Sequence, residues 1–276
     1  MQTNHYRQII PPCVLLEKTQ QLLSELQKGT GLVDLTKYYK VESKLDLANL
    51  SKEVTMSAIF GRLIGSIQNR SMMPNVIKYW DYQTTVFDAV LKRHQPSEVL
   101  ITYNNADELY HAILERWMDK KPLNENCQGL WRQWCEGVLS AASFLTRFNN
   151  VKDLHDSFKL LYDNPWTKPA LPSLLAMEIS GIQFALACDF LKECGYDYPK
   201  PDSHLADVLE QIIGTKQTYL VFKAVIQYAE ALNMSAYKFD KMLWLVCSGN
   251  FYLDNVKVKD KKEELIEFIK TNSTDK

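Results

Sequence analysis

The sequence predicts an all-α protein. Apolar residues recur every three or four positions through most of the 276-residue chain, and this period places them on one face of a helix. Strand signals are few, because only 99–103 and 255–258 are brief runs typical of β-strands. Turn-forming clusters punctuate the helical pattern at 93–97, 164–172 and 195–201, and none of them has the length of a flexible linker.

The first two predicted helices rest on the spacing of their apolar residues. The segment 14–28 places Leu15, Leu22 and Leu26 on one face and ends at a glycine, which is typical of an amphipathic helix with its stop signal. The run 45–69 continues with leucine, valine and isoleucine at helical intervals. We therefore expect two helices before residue 70.

The following helices begin with recognisable start signals. The segments 80–93 and 106–119 both begin near an acidic residue, and Asn104 or Asn105 is a suitable N-cap for the second. Both segments carry an apolar face. Further helices are predicted at 128–148, 151–163, 172–178, 184–194, 202–213, 218–232 and 237–247.

Composition is that of an ordinary globular protein, with 46% hydrophobic and 24% charged residues. The longest apolar runs, such as 242–247, are too short to cross a bilayer, and the amino terminus lacks the pattern of a signal peptide. Six cysteines without framework spacing are typical of reduced thiols in a cytoplasmic protein. We expect a cytoplasmic location and no membrane partner, and the sequence does not indicate an oligomeric state.

The formal net charge of −1 provides no global attraction to phosphate. Basic residues are nevertheless distributed unevenly, since every arginine lies at or before Arg147. Charge therefore permits nucleic-acid binding without indicating it.

The segment 171–205 carries the strongest functional signal. It contains a predicted helix, a tight turn at Ser180 and Gly181, and a second helix that stops at Gly195. A proline-containing loop then leads to the run 201–204, Pro-Asp-Ser-His.

This order resembles the helix-hairpin-helix DNA glycosylases of the endonuclease III and 3-methyladenine DNA glycosylase type. That family has a Leu-Pro-Gly-Val-Gly hairpin that grips the DNA backbone, followed by an Asp-x-His. Here the corresponding residues are Ile-Ser-Gly-Ile-Gln at 179–183 and Asp-Ser-His at 202–204. The resemblance is strongest over 140–252.

The resemblance implies two helical domains with a cleft between them that holds a base flipped out of the duplex. It implies a hairpin domain at 98–197 and a partner domain formed by 1–97 plus 198–276. It also implies that Ser180, Gly181, Ile182 and Gln183 bind double-stranded DNA. From the residues alone, a helical hairpin packed in a protein core is the alternative.

Asp202 is the catalytic carboxylate that the resemblance implies. Such an aspartate activates water, or stabilises the charge that develops on the sugar, while the bond to an extruded base breaks. The residues themselves also predict an ordinary N-cap at this position, and the two roles are compatible. His204 and Trp166 are candidate supporting residues, and Trp166 is the aromatic residue that we expect to be most exposed.

Two absences bear on the type of chemistry. Bifunctional members of the family have a lysine nucleophile at the start of the second hairpin helix, where this chain has Ala185. Lys192 lies two turns further along. Some relatives bind an iron–sulfur cluster through four cysteines, whereas only Cys247 follows Asp202 here. We expect no metal and no cofactor.

The sequence thus predicts a monofunctional DNA glycosylase that hydrolyses the N-glycosidic bond of a damaged base. The alternative is a non-catalytic protein of the same fold, which binds or interacts without excising a base. Gln183, which replaces the second hairpin glycine, and the near-zero net charge favour that alternative.

Overall fold

The structure is a computed structural model that describes residues 10–32, 34–39, 45–50, 53–70, 73–117 and 128–272. Contacts divide the chain into two compact units. The terminal unit is drawn from Met1–Glu42 and Asp197–Lys276, and the hairpin unit from Ser43–Tyr196. None of the described helices is long and apolar enough to span a membrane.

The described elements are almost all helical, so the predicted all-α class is confirmed. In chain order they are α1 (Pro12–Thr30), α2 (Thr36–Tyr39), α3 (Met56–Gln68), α4 (Met73–Ile77), α5 (Tyr79–Tyr82), a π-helix (Gln83–Phe87), α6 (Asp88–Val90), α7 (Pro96–Thr102), α8 (Ala106–Arg116), α9 (Gln128–Leu145), α10 (Val151–Tyr162), α11 (Ala170–Glu178), α12 (Phe184–Glu193), α13 (Ser203–Ile213), α14 (Thr218–Ala231), α15 (Ala236–Ser248), β1 (Asn250–Phe251), β2 (Val256–Lys257) and α16 (Lys262–Asn272).

In the terminal unit, α1 packs against α14, α15 and α16, and α13 packs against the same three helices, around one apolar core. Leu22, Leu209 and Phe239 are fully buried in it, as their positions on the apolar faces of their helices predict. The strands β1 and β2 form a two-stranded antiparallel pair after α15. This packing fixes the start of α13, where Asp202 lies.

In the hairpin unit, α3 and α9 form the central pair of helices, and α7 and α8 also pack against α9. Trp131, Trp134 and Phe87 are fully buried there, with the Phe87 and Trp134 rings 5.1 Å apart. The helices α11 and α12 pack against each other, and α12 also packs on α3. The hairpin is therefore attached to the central helices of its unit.

The predicted helix at 45–69 is shorter in the structure. The segment 45–50 forms a turn, residues 51 and 52 lie outside the described residues, and α3 begins only at Met56. The Thr55 side chain caps that start by accepting a hydrogen bond from the Ala58 amide at 3.2 Å. The prediction was wrong before Met56 because apolar spacing alone does not reveal a cap inside the run.

The segment 99–103 was predicted as a strand and is helical in the structure. Residues 99–102 belong to α7, which has Pro96 at its start and packs against α9, and Tyr103 is its C-cap. Proline at the first helical position is favourable because its fixed φ suits a helix and its missing N–H would have no partner. The second strand prediction, at 255–258, is confirmed by β2.

The segment 80–93 is not one continuous helix. It runs through α5, the π-helix and α6 into a turn at Lys92, Arg93 and His94, all with φ between 52° and 58°. Left-handed backbone costs about 1–2 kcal/mol per non-glycine residue. His94 is buried within this turn, and its Nε2 lies 2.8 Å from the hydroxyl oxygen of Tyr79.

The packing assigns residues 43–97 to the unit that contains the hairpin, whereas the sequence-based division placed 1–97 with 198–276. The physical reason is α3, which packs against α9 and α12 and belongs to the hairpin core. At its C-terminal end, the hairpin unit stops at residue 196 in the structure, and the sequence-based division placed that boundary at 197.

Candidate functional site

The predicted turn between two packed helices is present in the hairpin unit. The helix α11 ends at Glu178, α12 begins at Phe184, and the two pack against each other. Gly181 has a φ of +80°, a value that glycine adopts without steric cost. The Ile182 amide donates to the Ile179 carbonyl oxygen at 3.3 Å and closes the turn.

The hairpin turn is anchored on helix α9. The Ser180 amide donates a 2.9 Å hydrogen bond to the Ser140 hydroxyl oxygen, and the Ile182 side chain is only 3% exposed. A Cβ atom on Gly137 would lie 3.1 Å from the Ser180 carbonyl oxygen and 2.9 Å from Ile67. The chain thus approaches α9 as closely as a glycine permits, and the turn is anchored.

Two of the four predicted DNA-binding residues retain amides that are available to a ligand. Within the described residues, the Gly181 and Gln183 amides donate no hydrogen bond, whereas those of Ser180 and Ile182 are used internally. The Gln183 side chain is exposed, and its φ of −105° suits any residue. Glutamine is therefore compatible with this turn, although the family pattern has glycine there.

Arg147 and Arg70 differ in whether a carboxylate pairs with them. Arg147 forms an ion pair with Glu178 at 2.5 Å. By contrast, Arg70 forms no ion pair with any carboxylate of the described residues, and its Nη1 lies 3.4 Å from the Gln133 side-chain oxygen. The Gln133 carbonyl oxygen lies 3.8 Å from where a Cβ of Gly181 would be. Arg70 therefore contacts the α9 residue that the turn approaches, and no carboxylate of the described residues pairs with it.

The second hairpin helix is attached to α3 through a buried carboxylate. Asp189 is 3% exposed, and its Oδ2 accepts hydrogen bonds from Asn69 at 3.0 Å and Ser66 at 3.3 Å. The Arg62 guanidinium lies 3.5 Å from the same oxygen. The Lys192 ammonium lies 3.2 Å from Oδ1, so the charge of Asp189 is compensated inside the protein.

Ala185 and Lys192 are the two residues that the resemblance relates to the nucleophile of a lyase. Ala185 lies half-buried in the first turn of α12. Lys192 is 7% exposed and paired with Asp189. Neither residue supplies an accessible amine for a covalent bond to a sugar.

In the terminal unit, Asp202 caps α13. Its Oδ1 accepts hydrogen bonds from the main-chain amides of His204 at 2.9 Å and Leu205 at 3.2 Å, and the residue is half-buried. Burial, with a smaller contribution from the negative charge of Asp202, raises the pKa of the Cys247 thiol to about 12. The Asp202 carboxylate thus combines a fixed orientation with partial exposure.

A cluster near Asp202 was missed by the sequence analysis. The His204 ring meets the Trp244 ring edge-on at 6.3 Å, and the Lys241 ammonium lies 4.8 Å from the Trp244 ring centre and 5.2 Å from that of Tyr252. Lys241 is only 7% exposed, and Asp240, the residue before it, only 3%. The spacing of Lys241 and Trp244 on α15 was the signal available in the sequence.

Trp166 is 92% exposed, which confirms the predicted exposure of this side chain. Its amide donates to the Asn164 side-chain oxygen at 2.9 Å, so the backbone of the loop is held while the indole projects into solvent. An indole in this state is available to a partner surface.

No protein-family model matches the sequence, and no curated protein matches it at the sequence level. A solved structure does match, the crystal structure of the 8-oxoguanine DNA glycosylase of Thermotoga maritima, with a TM-score of 0.52 and 18% sequence identity. The match covers 86% of this chain and 98% of that protein. The chain therefore has the fold of a DNA glycosylase, as the resemblance over the hairpin predicts.

Proposed function

We propose that this protein is a DNA glycosylase, which excises a damaged base from double-stranded DNA by hydrolysing its N-glycosidic bond. The observation that carries the proposal is the fold, which is similar to that of an 8-oxoguanine DNA glycosylase over 86% of the chain. The geometry of the hairpin and of Asp202 supports it independently.

In this proposal the hairpin turn contacts a DNA phosphate. The unpaired amides of Gly181 and Gln183 are suitable donors for a phosphate oxygen at the start of α12. Arg70 supplies the positive charge, because no described carboxylate neutralises it. Ser180 and Ile182 contribute by fixing the turn through Ser140 and the core.

Asp202 is the proposed catalytic carboxylate. It accepts a proton from a water molecule whose oxygen forms a bond to C1′ of the sugar. The C1′–N bond breaks, and the base leaves with the electron pair and takes up a proton. The two main-chain amides that bind Asp202 stabilise its negative charge and fix its direction.

The reaction stops at an abasic site in this proposal. Ala185 has no nucleophile, and the Lys192 amine is buried against Asp189. Without an accessible amine, no covalent link to the sugar forms and the strand is not cut.

His204 and Trp166 have proposed supporting roles. His204 holds the Asp202 carboxylate through its amide and packs against Trp244. The exposed indole of Trp166 stacks on or against the duplex. Replacing Trp166 by alanine should lower affinity for DNA while stability stays unchanged, and replacing the exposed Met177 provides a control for apolar surface alone.

The test is an excision screen with the purified full-length chain. The T. maritima protein is named for 8-oxoguanine, so duplexes with that base come first, followed by other oxidised, alkylated and deaminated bases. We expect one of them to yield an abasic strand that breaks only after alkali treatment. Binding to duplex without excision of any base would support the non-catalytic alternative.

A further inference from the structure

Asp189 is a buried carboxylate for which the proposed reaction has no direct use. It lies on the second hairpin helix, and its Oδ2 is shared by three donors from α3 and the end of α3. Burying a charge is costly unless it is paired and hydrogen-bonded. Apolar side chains would be sufficient for a hairpin that only packs on α3. Packing alone therefore does not explain why Asp189 and its donors are buried there.

The three donors are not equivalent in their positions. Arg62 and Ser66 lie inside α3, whose backbone is already fixed by its own helical hydrogen bonds. Asn69 lies one residue beyond the helix as its C-cap, with a φ of −69° and a ψ of 13°. Its side-chain bond to Asp189, at 3.0 Å, therefore ties the end of α3 to the hairpin.

The residue that follows Asn69 is Arg70, which has no carboxylate partner among the described residues. The Arg70 side chain also contacts Gln133 of α9, whose carbonyl lies beside Gly181. The direction in which the chain leaves α3 determines where the Arg70 guanidinium lies. The Asn69–Asp189 bond fixes that direction relative to the helix that bears the phosphate-binding turn.

We propose that Asp189 is a positioning residue for DNA binding, acting through Asn69 to hold Arg70 beside the hairpin amides so that both bind the same phosphate backbone. The inference rests on the proposed binding role of the hairpin. It adds that the cation and the amide donors belong to one pre-assembled surface, coupled by a single carboxylate.

The test compares two alanine variants that each remove one hydrogen bond to the same Asp189 oxygen. Asn69→Ala removes the bond at the end of α3, and Ser66→Ala removes the bond from inside the helix. Affinity for an undamaged duplex is measured from about 50 to 200 mM salt, the range over which phosphate contacts dominate affinity. The thermal midpoint of each variant is measured as well.

We expect Asn69→Ala to weaken DNA binding and to reduce the slope of log affinity against log salt by about 1, the loss of one phosphate contact. Ser66→Ala should lower the thermal midpoint by about as much as Asn69→Ala does, because each variant loses one hydrogen bond to Asp189. It should leave the slope unchanged. In an Arg70→Ala background, Asn69→Ala should reduce the slope no further, because the contact that it positions is already absent.

Asp189→Asn provides a second, conservative variant. Its amide oxygen can still accept a hydrogen bond from the Asn69 side chain. The slope of log affinity against log salt should therefore be closer to the wild-type slope than the slope of Asn69→Ala is. If the wild-type protein binds and excises, equal slopes for Asn69→Ala and Ser66→Ala would overturn the positioning role of Asp189. The proposed function would then remain intact. Absence of duplex binding by the wild-type chain would overturn both.

Discussion

The Ser140 hydroxyl oxygen accepts a 2.9 Å hydrogen bond from the main-chain amide of Ser180. This bond joins the exposed end of the hairpin to α9, one turn after Gly137, where a Cβ atom would lie 3.1 Å from the Ser180 carbonyl oxygen. The hairpin turn is thus supported by the central helix of its unit and not only by its own two helices. Changes in α9 should therefore affect a surface that they do not themselves form.

Gly137→Ala should destabilise the protein and displace the turn. The new Cβ would lie 3.1 Å from the Ser180 carbonyl oxygen and 2.9 Å from Ile67, and the first of these neighbours is backbone. Over-packing of this kind costs about 1–3 kcal/mol. Chemical denaturation should show the loss of stability, and duplex affinity should fall with it.

Gly129→Ala is the matched control for that variant. Gly129 lies in the same helix, and a Cβ there would meet no atom of the described residues within 4 Å. Alanine should raise the free energy of unfolding by up to about 1 kcal/mol, because it favours the helix over glycine. Equal effects at both positions would contradict the close approach at Gly137.

His94 should make stability depend on pH. It is 7% exposed, and burial lowers its pKa below the ordinary value of 6.5, although Asp88 partly opposes this shift. His94 is then neutral in the folded protein, and its imidazole binds a proton more readily in the unfolded chain. The contribution of His94 is complete above pH 6.5 and is lost as the pH falls through its folded pKa.

The measurement is the free energy of unfolding of wild type and His94→Asn between pH 7.5 and 5.5. Asparagine tolerates the φ of +58° at this position, so the variant removes the titrating group without adding backbone strain. We expect a lower stability for the variant at pH 7.5 and a smaller loss of stability on acidification. An identical pH dependence would exclude His94 as its source.

The hairpin could be predicted from the sequence because its signals are local. Gly181 marks the left-handed residue, and apolar periodicity on both sides marks the two helices. The same reasoning failed at 99–103, where a short β-like run suggested a strand although Pro96, a helix start, precedes it. Local signals conflict there, and packing against α9 decides between them.

The Asp189 cluster could not be predicted in the same way. Asn69 and Asp189 are 120 residues apart in sequence, and nothing near either residue indicates the other. The burial of Lys241 was also missed, because a lysine beside an aspartate usually lies on a solvated surface. Its aromatic partners include Tyr252, which lies beyond the end of α15. Such contacts depend on tertiary packing.

The reaction should leave no covalent link between protein and DNA. Borohydride traps a lysine joined to C1′ of the sugar, and this chain has Ala185 at the start of α12 and Lys192 buried against Asp189. Incubation with a lesion-containing duplex and borohydride should therefore give no cross-linked band. A glycosylase with known lyase activity is the positive control. A trapped complex would show that another lysine acts as nucleophile.

Asp202→Asn should abolish excision and leave stability almost unchanged. Aspartate and asparagine are comparable N-caps, so the side-chain oxygen can still accept from the His204 and Leu205 amides. The negative charge is lost, and with it the group that activates water in the proposed reaction. Denaturation should place Asp202→Asn within about 0.5 kcal/mol of wild type, whereas Asp202→Ala should cost about 1 kcal/mol.

Ser235→Ala separates loss of a helix cap from loss of the catalytic charge. Ser235 caps α15 in the same unit by accepting from the Lys238 amide at 3.0 Å. Its removal should also cost about 1 kcal/mol, yet excision should continue. If Asp202→Asn still excises at the wild-type rate, Asp202 is a cap alone. If Ser235→Ala loses excision as completely as Asp202→Asn does, the effect arises from weakened helices, and the charge of Asp202 is not its cause.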